Sequence, residues 1–171
     1  MSPERGFPPV AGPGARVLVL GSMPGAASLA AGEYYAHPRN AFWWIMGQLH
    51  GAGPELPYAE RCAVLVRRGV AVWDALHRCV RPGSLDSAIE RGSEEVNDFA
   101  GLFERCPHIR LVAFNGAKAE EAFRRHASDA LATLAHPPRT VRLPSTSPAM
   151  AALTREQKLA RWREGLLGAE A

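Results

Sequence analysis

The chain has 171 residues, of which 22% are charged and 47% hydrophobic, and its formal net charge is +3. This composition is that of a single globular domain with a substantial core, and no apolar run approaches the roughly 20 residues that a membrane helix needs. The N-terminus lacks the apolar core of a signal peptide, so we expect a cytoplasmic protein without a membrane partner. The small basic excess permits a nucleic-acid partner without requiring one.

The three cysteines are far apart and favour free thiols. Cys62, Cys79 and Cys106 form no C-x-x-C pair, the close spacing that is usual at metal and iron–sulfur centres. A disulfide framework is not expected in a cytoplasmic protein. We therefore expect neither a metal ion nor a cofactor.

Apolar runs alternate with amphipathic segments along the chain. After an irregular lead-in over residues 1–15, strands are predicted at Arg16–Leu20, Gly69–Asp74, Ile109–Phe114 and Thr140–Leu143. Helices are predicted at Asn40–Leu49, Tyr58–Arg68, Asn97–Cys106, Lys118–His126 and Thr154–Leu167, the last with Thr154 and Gln157 as a capping box. This order predicts an α/β fold, a three-layer α/β/α sandwich with a central four-stranded parallel sheet, in one domain over residues 16–171.

The polar residues that follow the predicted strands indicate one binding site. Ligands of parallel α/β sheets bind beyond the carboxyl ends of the strands. Those ends carry Gly21–Gly25, Asp74, Asn115 and Ser145–Met150. Asp74 and Asn115 could cap helices, or could read the hydrogen-bonding edge of a ligand.

Two loops at these ends are rich in glycine, serine and proline. Gly21-Ser22-Met23-Pro24-Gly25 lacks the phosphate-loop and dinucleotide signatures; its glycines either allow a ligand close to the backbone or make a tight connection. Ser145-Thr146-Ser147-Pro148 either offers hydroxyls and backbone amides to a phosphate or forms a turn. Met150 then either packs or acts as an apolar wedge between bases.

The segment between the loops, Tyr34–Trp43, concentrates aromatic and polar side chains. Asn40 directly precedes an apolar-periodic helix, where it could be the N-cap or could position a water molecule. Tyr35 could stack on a flat ring. His37, beside Pro38, is interpreted as holding the turn.

Taken together, these segments resemble the uracil-DNA glycosylase superfamily, and specifically its hypoxanthine-DNA glycosylase branch. The resemblance runs from about Arg16 to Trp162. It is carried by Leu20–Gly25, Tyr34–Trp43, Gly69–Asp74, Arg81–Ile89, Phe114–Gly116 and Leu143–Met150. It implies a four-stranded parallel sheet between helices, in agreement with the elements predicted above.

The resemblance also implies roles for particular residues. Asn40 matches the asparagine of an Ala-His-Pro-x-Asn-x-Phe-Trp segment and is our candidate for holding the attacking water, and Tyr35 falls where the base is stacked. Met23 stands where the family usually has Asp or Asn to orient that water. Ser145 replaces a histidine or asparagine that contacts the base. The resemblance further implies that Met23, Asp74 and Asn115 contact the base, and that Met150 is the wedge. The implied contacts to the DNA backbone come from Gly21, Ser22, Pro24, Gly25, Thr146, Ser147 and Pro148.

The implied activity is that of a monofunctional DNA glycosylase, which removes a deaminated base from DNA and leaves an abasic site. Hypoxanthine is the expected base, and the implied partner is DNA. The protein is expected to act as a monomer and to be a bacterial-type protein associated with the nucleoid. A uracil or thymine mismatch glycosylase is the alternative within the fold. A non-catalytic nucleotide- or DNA-binding module is the more distant alternative, favoured by Met23.

Overall fold

The structure, a computed structural model, describes residues 2–167. Met1, the first residue of the predicted lead-in, and residues 168–171, the last four of the predicted domain, lie outside the described residues. In chain order the strands are β1 (Glu4–Arg5), β2 (Val17–Gly21), β3 (Val70–Asp74), β4 (Leu76–Cys79), β5 (Glu95–Val96), β6 (Leu111–Asn115) and β7 (Arg139–Leu143). The helices are α1 (Ala26–Ala31), α2 (Phe42–His50), α3 (Tyr58–Arg67), α4 (Phe99–Arg105), α5 (Ala117–His126), α6 (Ser128–Ala132) and α7 (Arg155–Leu167), with a 3₁₀ turn at Asp86–Ala88.

The central sheet is parallel and has the strand order β3-β2-β6-β7. Every residue of β2 and β3 is buried, as expected for strands of a parallel sheet covered on both faces, and β3 is buried although it is an edge strand of this sheet. Gly21 at the end of β2 is in register with Asp74 at the end of β3. The predicted four strands and their common carboxyl edge are confirmed.

Helices cover both faces of this sheet. On one face α5 contacts β2, β6 and β7 and packs with α6, which contacts α4. On the other face α7 contacts β6, β7 and α2, and Trp43 of α2 meets Tyr58 of α3 edge to face. The three-layer α/β/α fold is therefore confirmed. No helix within residues 2–167 is long and apolar enough to cross a membrane.

A small antiparallel sheet with the order β1-β4-β5 adds to the predicted fold. Glu4 pairs with Cys79 in it, and Val10 forms a bridge with Val72 of the central sheet. Further hydrogen bonds run from the Tyr34 hydroxyl to the Pro8 carbonyl and from Trp73 Nε1 to the Phe7 carbonyl. The lead-in is thus attached to the domain along its length, although most of it is neither helix nor strand. Whether residues 1–15 and 16–171 are best treated as separate units stays a prediction.

Four of the five predicted helix starts shift by one or two residues, whereas α3 begins at Tyr58 as predicted. α2 begins at Phe42 rather than Asn40, and α4 begins at Phe99 with Asp98 as its N-cap, which accepts from the Gly101 N–H. The predicted capping box of α7 is confirmed: the Thr154 N–H donates to Gln157 Oε1, and the Gln157 N–H donates to Thr154 Oγ1. The short helices α1 and α6 are additional to the prediction.

Candidate active site

A cavity of about 280 Å³ opens at the carboxyl edge of the sheet. Its volume is close to the lower end of the range for small-molecule sites, roughly 300–1,000 Å³. All of the predicted site residues except Met150 line it: Gly21, Ser22, Met23, Pro24, Gly25, Tyr35, Asn40, Asp74, Asn115, Ser145, Thr146, Ser147 and Pro148. The fold therefore brings separate segments of the chain to one chamber.

Gly21, Tyr35 and Asp74 meet at one wall of the cavity. A Cβ atom on Gly21 would collide with Asp74 Oδ1 and lie 2.9 Å from the Tyr35 hydroxyl. Among residues 2–167, neither Asp74 Oδ2 nor the Tyr35 hydroxyl has a hydrogen-bond partner of good geometry, although the Asn115 amide is near the hydroxyl. Glycine at position 21 thus leaves room for two buried polar groups in the wall behind the cavity surface.

The carboxyl group of Asp74 has an unusual acidity. Burial and, to a smaller extent, the nearby Asp86 carboxylate raise its pKa to about 7, against the opposing effect of the Arg81 guanidinium. Burial and the charge of Asp74 likewise raise the pKa of the Tyr35 hydroxyl, which therefore stays protonated. Near neutral pH the cavity holds a carboxyl group in both its neutral and its ionised form.

Asn40 makes a cap-like hydrogen bond at the start of α2, whose N-cap residue is Ala41, and also lines the cavity, while its role toward a water molecule stays a prediction. Its Oδ1 accepts a hydrogen bond from the Phe42 N–H at 3.0 Å, at the start of α2, while the side chain also lines the cavity. The adjacent Ala41 N–H donates to the Thr146 carbonyl at 3.0 Å. These bonds fix the carboxamide beside the serine-rich loop, and because a carbonyl oxygen has two lone pairs, Oδ1 keeps one for a water molecule.

Tyr35 is held in one orientation by its neighbours. Its ring stacks on Phe42 with centroids 4.1 Å apart and planes 16° from parallel. Its φ of 54° lies in the left-handed region, which costs energy for a residue with a Cβ atom and is found at functional sites. Because Phe42 covers one face of the ring, a base can stack only on the opposite face.

Backbone amides of the loop at 145–150 donate hydrogen bonds within the protein. The Thr146 N–H donates to Asn115 Oδ1, and the Ser147 and Ala149 N–H groups donate to the hydroxyls of Ser145 and Ser147. The interpretation that this loop offers free amides to a phosphate therefore needs correction. Its donors include the hydroxyl protons of Ser145, Thr146 and Ser147, whose oxygens accept the bonds from Ser147 N–H, Asn115 Nδ2 and Ala149 N–H.

Two side chains of α7 donate hydrogen bonds to backbone carbonyls in and next to that loop. Lys158, which is buried, donates from Nζ to the Ser147 carbonyl at 3.1 Å, and Trp162 Nε1 donates to the Pro144 carbonyl at 2.9 Å. The other lysine, Lys118, forms ion pairs with Glu94 and Glu121. Neither lysine lines the cavity, so the residues that do line it offer no amine nucleophile.

The sequence analysis missed the wall formed by Ser84, Leu85 and Asp86. Ser84 Oγ accepts from the Ala26 N–H at 2.8 Å, which joins this wall to the first loop. Arg81, only 1% exposed, holds both: it donates to the carbonyls of Pro24 and Ser84. The segment carried part of the family resemblance, but nothing in its sequence distinguishes a buried arginine from a solvated one.

Three apolar residues in this region differ in their surroundings. Met150 is half-buried and lies outside the cavity lining, whereas Leu85 lines the cavity and is 58% exposed. Met23 is 6% exposed, and its sulfur lies 3.9 Å from the place that a Cβ of Gly6 would occupy. Met23 is thus an apolar part of the wall. Within residues 2–167, no group of three or more His, Cys, Asp and Glu side chains is arranged to hold a metal ion.

Comparisons with known proteins identify the family of the chain. The hypoxanthine DNA glycosylases of Methanosarcina acetivorans and Methanosarcina barkeri are 40% and 37% identical to the chain over 119 residues, which cover 69% of this chain and 74% of each relative. A solution NMR structure of a Methanosarcina acetivorans protein, provisionally described as a uracil DNA glycosylase, superposes with a TM-score of 0.77 at 30% identity and covers 99% of this chain and 100% of that chain. These organisms are archaeal, so the expectation of a bacterial-type protein has no support. The model of the uracil DNA glycosylase superfamily matches residues 8–166, and the chain belongs to that superfamily.

Proposed function

We propose that this chain is a DNA glycosylase that hydrolyses the N-glycosidic bond of hypoxanthine in DNA and leaves an abasic site. The curated relatives of the chain are hypoxanthine DNA glycosylases. The observation that carries the proposal is that Tyr35, Asn40 and Asp74 line a single cavity at the sheet edge. An aromatic ring, a water-holding amide and a buried carboxyl are the parts needed to bind and release a base.

The base must leave the duplex to reach this cavity, at a cost of a few kcal/mol that is lower for mispaired bases. Tyr35 stacks on the base from the side opposite Phe42. The first loop, at Gly21, Ser22, Pro24 and Gly25, and the second loop, at Thr146, Ser147 and Pro148, contact the flanking DNA backbone. Asn115 and Ser145 contact the base at the junction of the second loop.

Asn40 accepts a hydrogen bond from a water molecule and holds it against C1′ of the sugar. As the glycosidic bond breaks, C1′ becomes strongly electrophilic, so positioning and fixed dipoles supply most of the rate. The water oxygen bonds to C1′, the bond electrons leave with the base, and the proton lost by water neutralises the base. Without an amine in the cavity, the reaction ends at the abasic site.

The alternative is excision of uracil or mismatched thymine by the same site. The superfamily name and the description of the NMR structure favour this second function. It needs no change in the role of Asn40, since only the edge of the base differs.

A panel of duplexes separates the two functions. Duplexes carrying hypoxanthine, xanthine, uracil or a G·T mismatch are incubated with the protein, and alkali then cleaves the abasic sites. We expect the largest single-turnover rate with hypoxanthine. A larger rate with uracil would favour the alternative, and no cleavage of any duplex together with unchanged DNA binding would indicate a non-catalytic binding module.

Leu85 is expected to contact DNA at the mouth of the cavity. Replacing this exposed leucine with alanine should slow cleavage of duplex substrate by about tenfold, because an apolar wedge stabilises the unstacked state by roughly one to a few kcal/mol. The Leu167→Ala variant is a matched control, since Leu167 at the end of α7 is also 58% exposed but lies outside the cavity lining.

The Met150→Ala variant tests the sequence-based wedge in the same assay. A single-stranded substrate, which has no partner strand to unstack, should be cleaved at the same rate by all of these variants. An effect of Leu85→Ala that is equal on single and double strands would exclude a wedge.

We further propose that the protein acts as a monomer in the cytoplasm, where chromosomal DNA is its partner. The cavity is complete within one chain, because each predicted contact except Met150 lines it. Sedimentation of the protein with and without a lesion duplex tests this: a complex of one chain per lesion is expected, and two chains per lesion would contradict it.

A further inference from the structure

We propose that the edge of the central sheet opposite the cavity binds the phosphate backbone of a second DNA segment, so that one chain holds two duplexes at once. The inference goes beyond the proposed function and rests on it only for the first duplex, which enters at the cavity. The surface that binds the second duplex, called the arginine edge below, consists of Arg16, Arg68, Arg110 and Arg139.

The segments that lead into the four parallel strands are basic. They contain five arginines and two histidines but no Asp or Glu, over residues 12–16, 66–69, 107–110 and 135–139. Because the four strands are parallel, their starts lie together at one edge of the sheet. The topology therefore concentrates positive charge at the edge opposite the cavity.

Backbone hydrogen bonds join the members of the arginine edge into a row. The Arg16 N–H donates to the Gly69 carbonyl at 2.8 Å, and the Arg110 N–H donates to the Arg16 carbonyl at 2.8 Å. The Arg139 N–H donates to the Arg110 carbonyl at 2.9 Å. Since Arg68 directly precedes Gly69, the row crosses all four strands, and each of its side chains is exposed.

Two members of the arginine edge converge on a small hollow. Arg16 and Arg68 line it together with His50, and its volume is about 20 Å³. A Cβ atom on Gly69 would lie 3.5 Å from Arg16 Nε, so the Arg16 guanidinium lies across the turn that follows Arg68. A hollow of this size admits about one water-sized group, such as a phosphate oxygen, and excludes a base or a sugar.

The arginine edge has no carboxylate to balance it. Within residues 2–167, Arg16, Arg68 and Arg110 take part in no ion pair. Like charges that are held side by side repel each other, and an anion placed between them relieves this repulsion. An anionic partner therefore completes the row.

Helix ends account for only part of this charge. Arg68 is the C-cap residue of α3, and a cation is favourable close to a helix C-terminus. Arg16 and Arg110 belong to no helix, since each directly precedes a strand, β2 and β6 respectively. Their position at the sheet edge is therefore not a consequence of helix capping.

The cavity edge has a different character. Among residues 2–167, no arginine or lysine lines the cavity, whereas Asp74 and Asp86 do. Lys and Arg contacts to phosphate supply essentially all of the non-specific affinity of a protein for DNA. The five residues of β2 separate the two edges by about 17 Å, so a straight duplex at the cavity does not reach the arginine edge. The arginines are thus available to another segment.

The dimensions of the arginine edge suit a duplex. Neighbouring strands lie about 4.8 Å apart, so a row across four strands spans about 14 Å. This length corresponds to about four base pairs of a duplex, each of which carries two phosphates. Guanidinium forks match phosphate oxygens in geometry as well as in charge. A chain that holds a second duplex in this way can pass from one DNA segment to another without dissociating.

The test is a bridging assay. A fluorescent duplex that carries a tetrahydrofuran abasic site, an uncleavable product analogue, is mixed with the protein and with an unmodified duplex coupled to beads. Fluorescence retained on the beads measures chains that hold both duplexes. Wild type should retain the fluorescent duplex, and the affinity for the second duplex should fall about 40-fold between 50 and 200 mM salt, as expected for three phosphate contacts.

The edge variant combines Arg16→Gln, Arg68→Gln and Arg110→Gln. It should retain less than about a tenth of the wild-type fluorescence at 50 mM salt, because three phosphate contacts are lost. Its single-turnover rate on a short hypoxanthine duplex at saturating protein should stay within about twofold of wild type, since none of the three residues lines the cavity. An unchanged rate also shows that the variant is folded.

A matched control removes the same charge elsewhere. The control variant combines Arg5→Gln, Arg78→Gln and Arg161→Gln, which lie in β1, β4 and α7. It should retain the fluorescent duplex as wild type does. Sedimentation of the bridged complex should give one chain with two duplexes.

Four results would overturn the proposal. They are a wild type that retains no fluorescence, an edge variant that bridges as wild type does, an equal loss in the control variant, and a bridged complex that contains two chains. Polyglutamate that displaces the second duplex at a lower charge concentration than free duplex would also contradict it, and would point to an acidic protein as the partner. The proposed function fails by a different result, namely a wild type that bridges two duplexes but releases no base.

Discussion

Replacement of Asn40 by alanine is expected to lower kcat for base excision by about 100- to 1,000-fold, the usual effect of removing one preorganised catalytic polar group. The carboxamide lines the cavity and is fixed by the Phe42 N–H and by the bond between Ala41 and Thr146. In the proposed mechanism, the water molecule that Oδ1 accepts from is therefore ordered before the base enters. Single-turnover rates on a lesion duplex measure the effect.

The hydrogen bond from the Phe42 N–H to Asn40 requires a control, because its loss also weakens the start of α2. Replacement of a residue that caps a helix start by alanine costs about 1 kcal/mol of folding stability. Asn40→Ser keeps a hydroxyl oxygen for the Phe42 N–H but lacks the amide that reaches the water. We expect Asn40→Ser to be as inactive as Asn40→Ala while retaining most of that stability.

Urea unfolding and binding to an uncleavable substrate analogue complete the comparison. Both Asn40 variants should bind the analogue as wild type does, since the proposed role is in the chemical step. If Asn40→Ser cleaved the lesion duplex within tenfold of wild type, the carboxamide would be a structural cap and the water would be held elsewhere.

The common edge of the strands could be predicted because three of the four central strands are continuous apolar runs that end in a glycine or a polar residue. Leu20–Gly21, Trp73–Asp74 and Phe114–Asn115 each give this change within two residues. In a parallel sheet such changes are brought to one edge by topology alone. That is why the prediction of one cavity holds without knowledge of any side-chain contact.

Other features depend on contacts between distant parts of the chain. β1 has two residues, too few for a periodic signal, and Glu4 lies far along the sequence from its partners Cys79 and Arg81. The exposure of Leu85 follows from the loop that Arg81 anchors. Local sequence patterns carry no information on such pairings, so the second wall of the cavity was not predicted.

The doubt raised by Met23 is reduced by the geometry of the cavity. A methionine at this place in the first loop cannot orient water, but Asn40 lines the same cavity from another segment. Met23 instead adds apolar surface to the wall. The enzyme interpretation therefore does not require a polar side chain at position 23.

Loss of the buried Arg81 side chain should cost much of the stability of the domain. Its guanidinium is fully buried, forms an ion pair with Glu4 at 2.7 Å and a longer one with Asp86 at 3.6 Å, and donates to the Pro24 carbonyl. Removing one partner of a buried ion pair typically costs 3–5 kcal/mol, because the other charge stays behind without compensation. We expect Arg81→Met to lower the free energy of unfolding by about 3–5 kcal/mol.

Arg78 offers a matched control three residues earlier. It pairs with Glu95 at 3.6 Å between exposed side chains, and a surface ion pair contributes only about 0–1 kcal/mol. Arg78→Met should therefore unfold in urea close to wild type, while Arg81→Met unfolds at much lower urea concentration with a similar slope. Equal midpoints for the two variants would show that the Arg81 network adds no net stability. Arg81 joins Glu4 of β1 to the carbonyls of Pro24 and Ser84, which belong to two walls of the cavity. A large loss of stability in Arg81→Met would therefore show that the N-terminal segment helps to hold the cavity together.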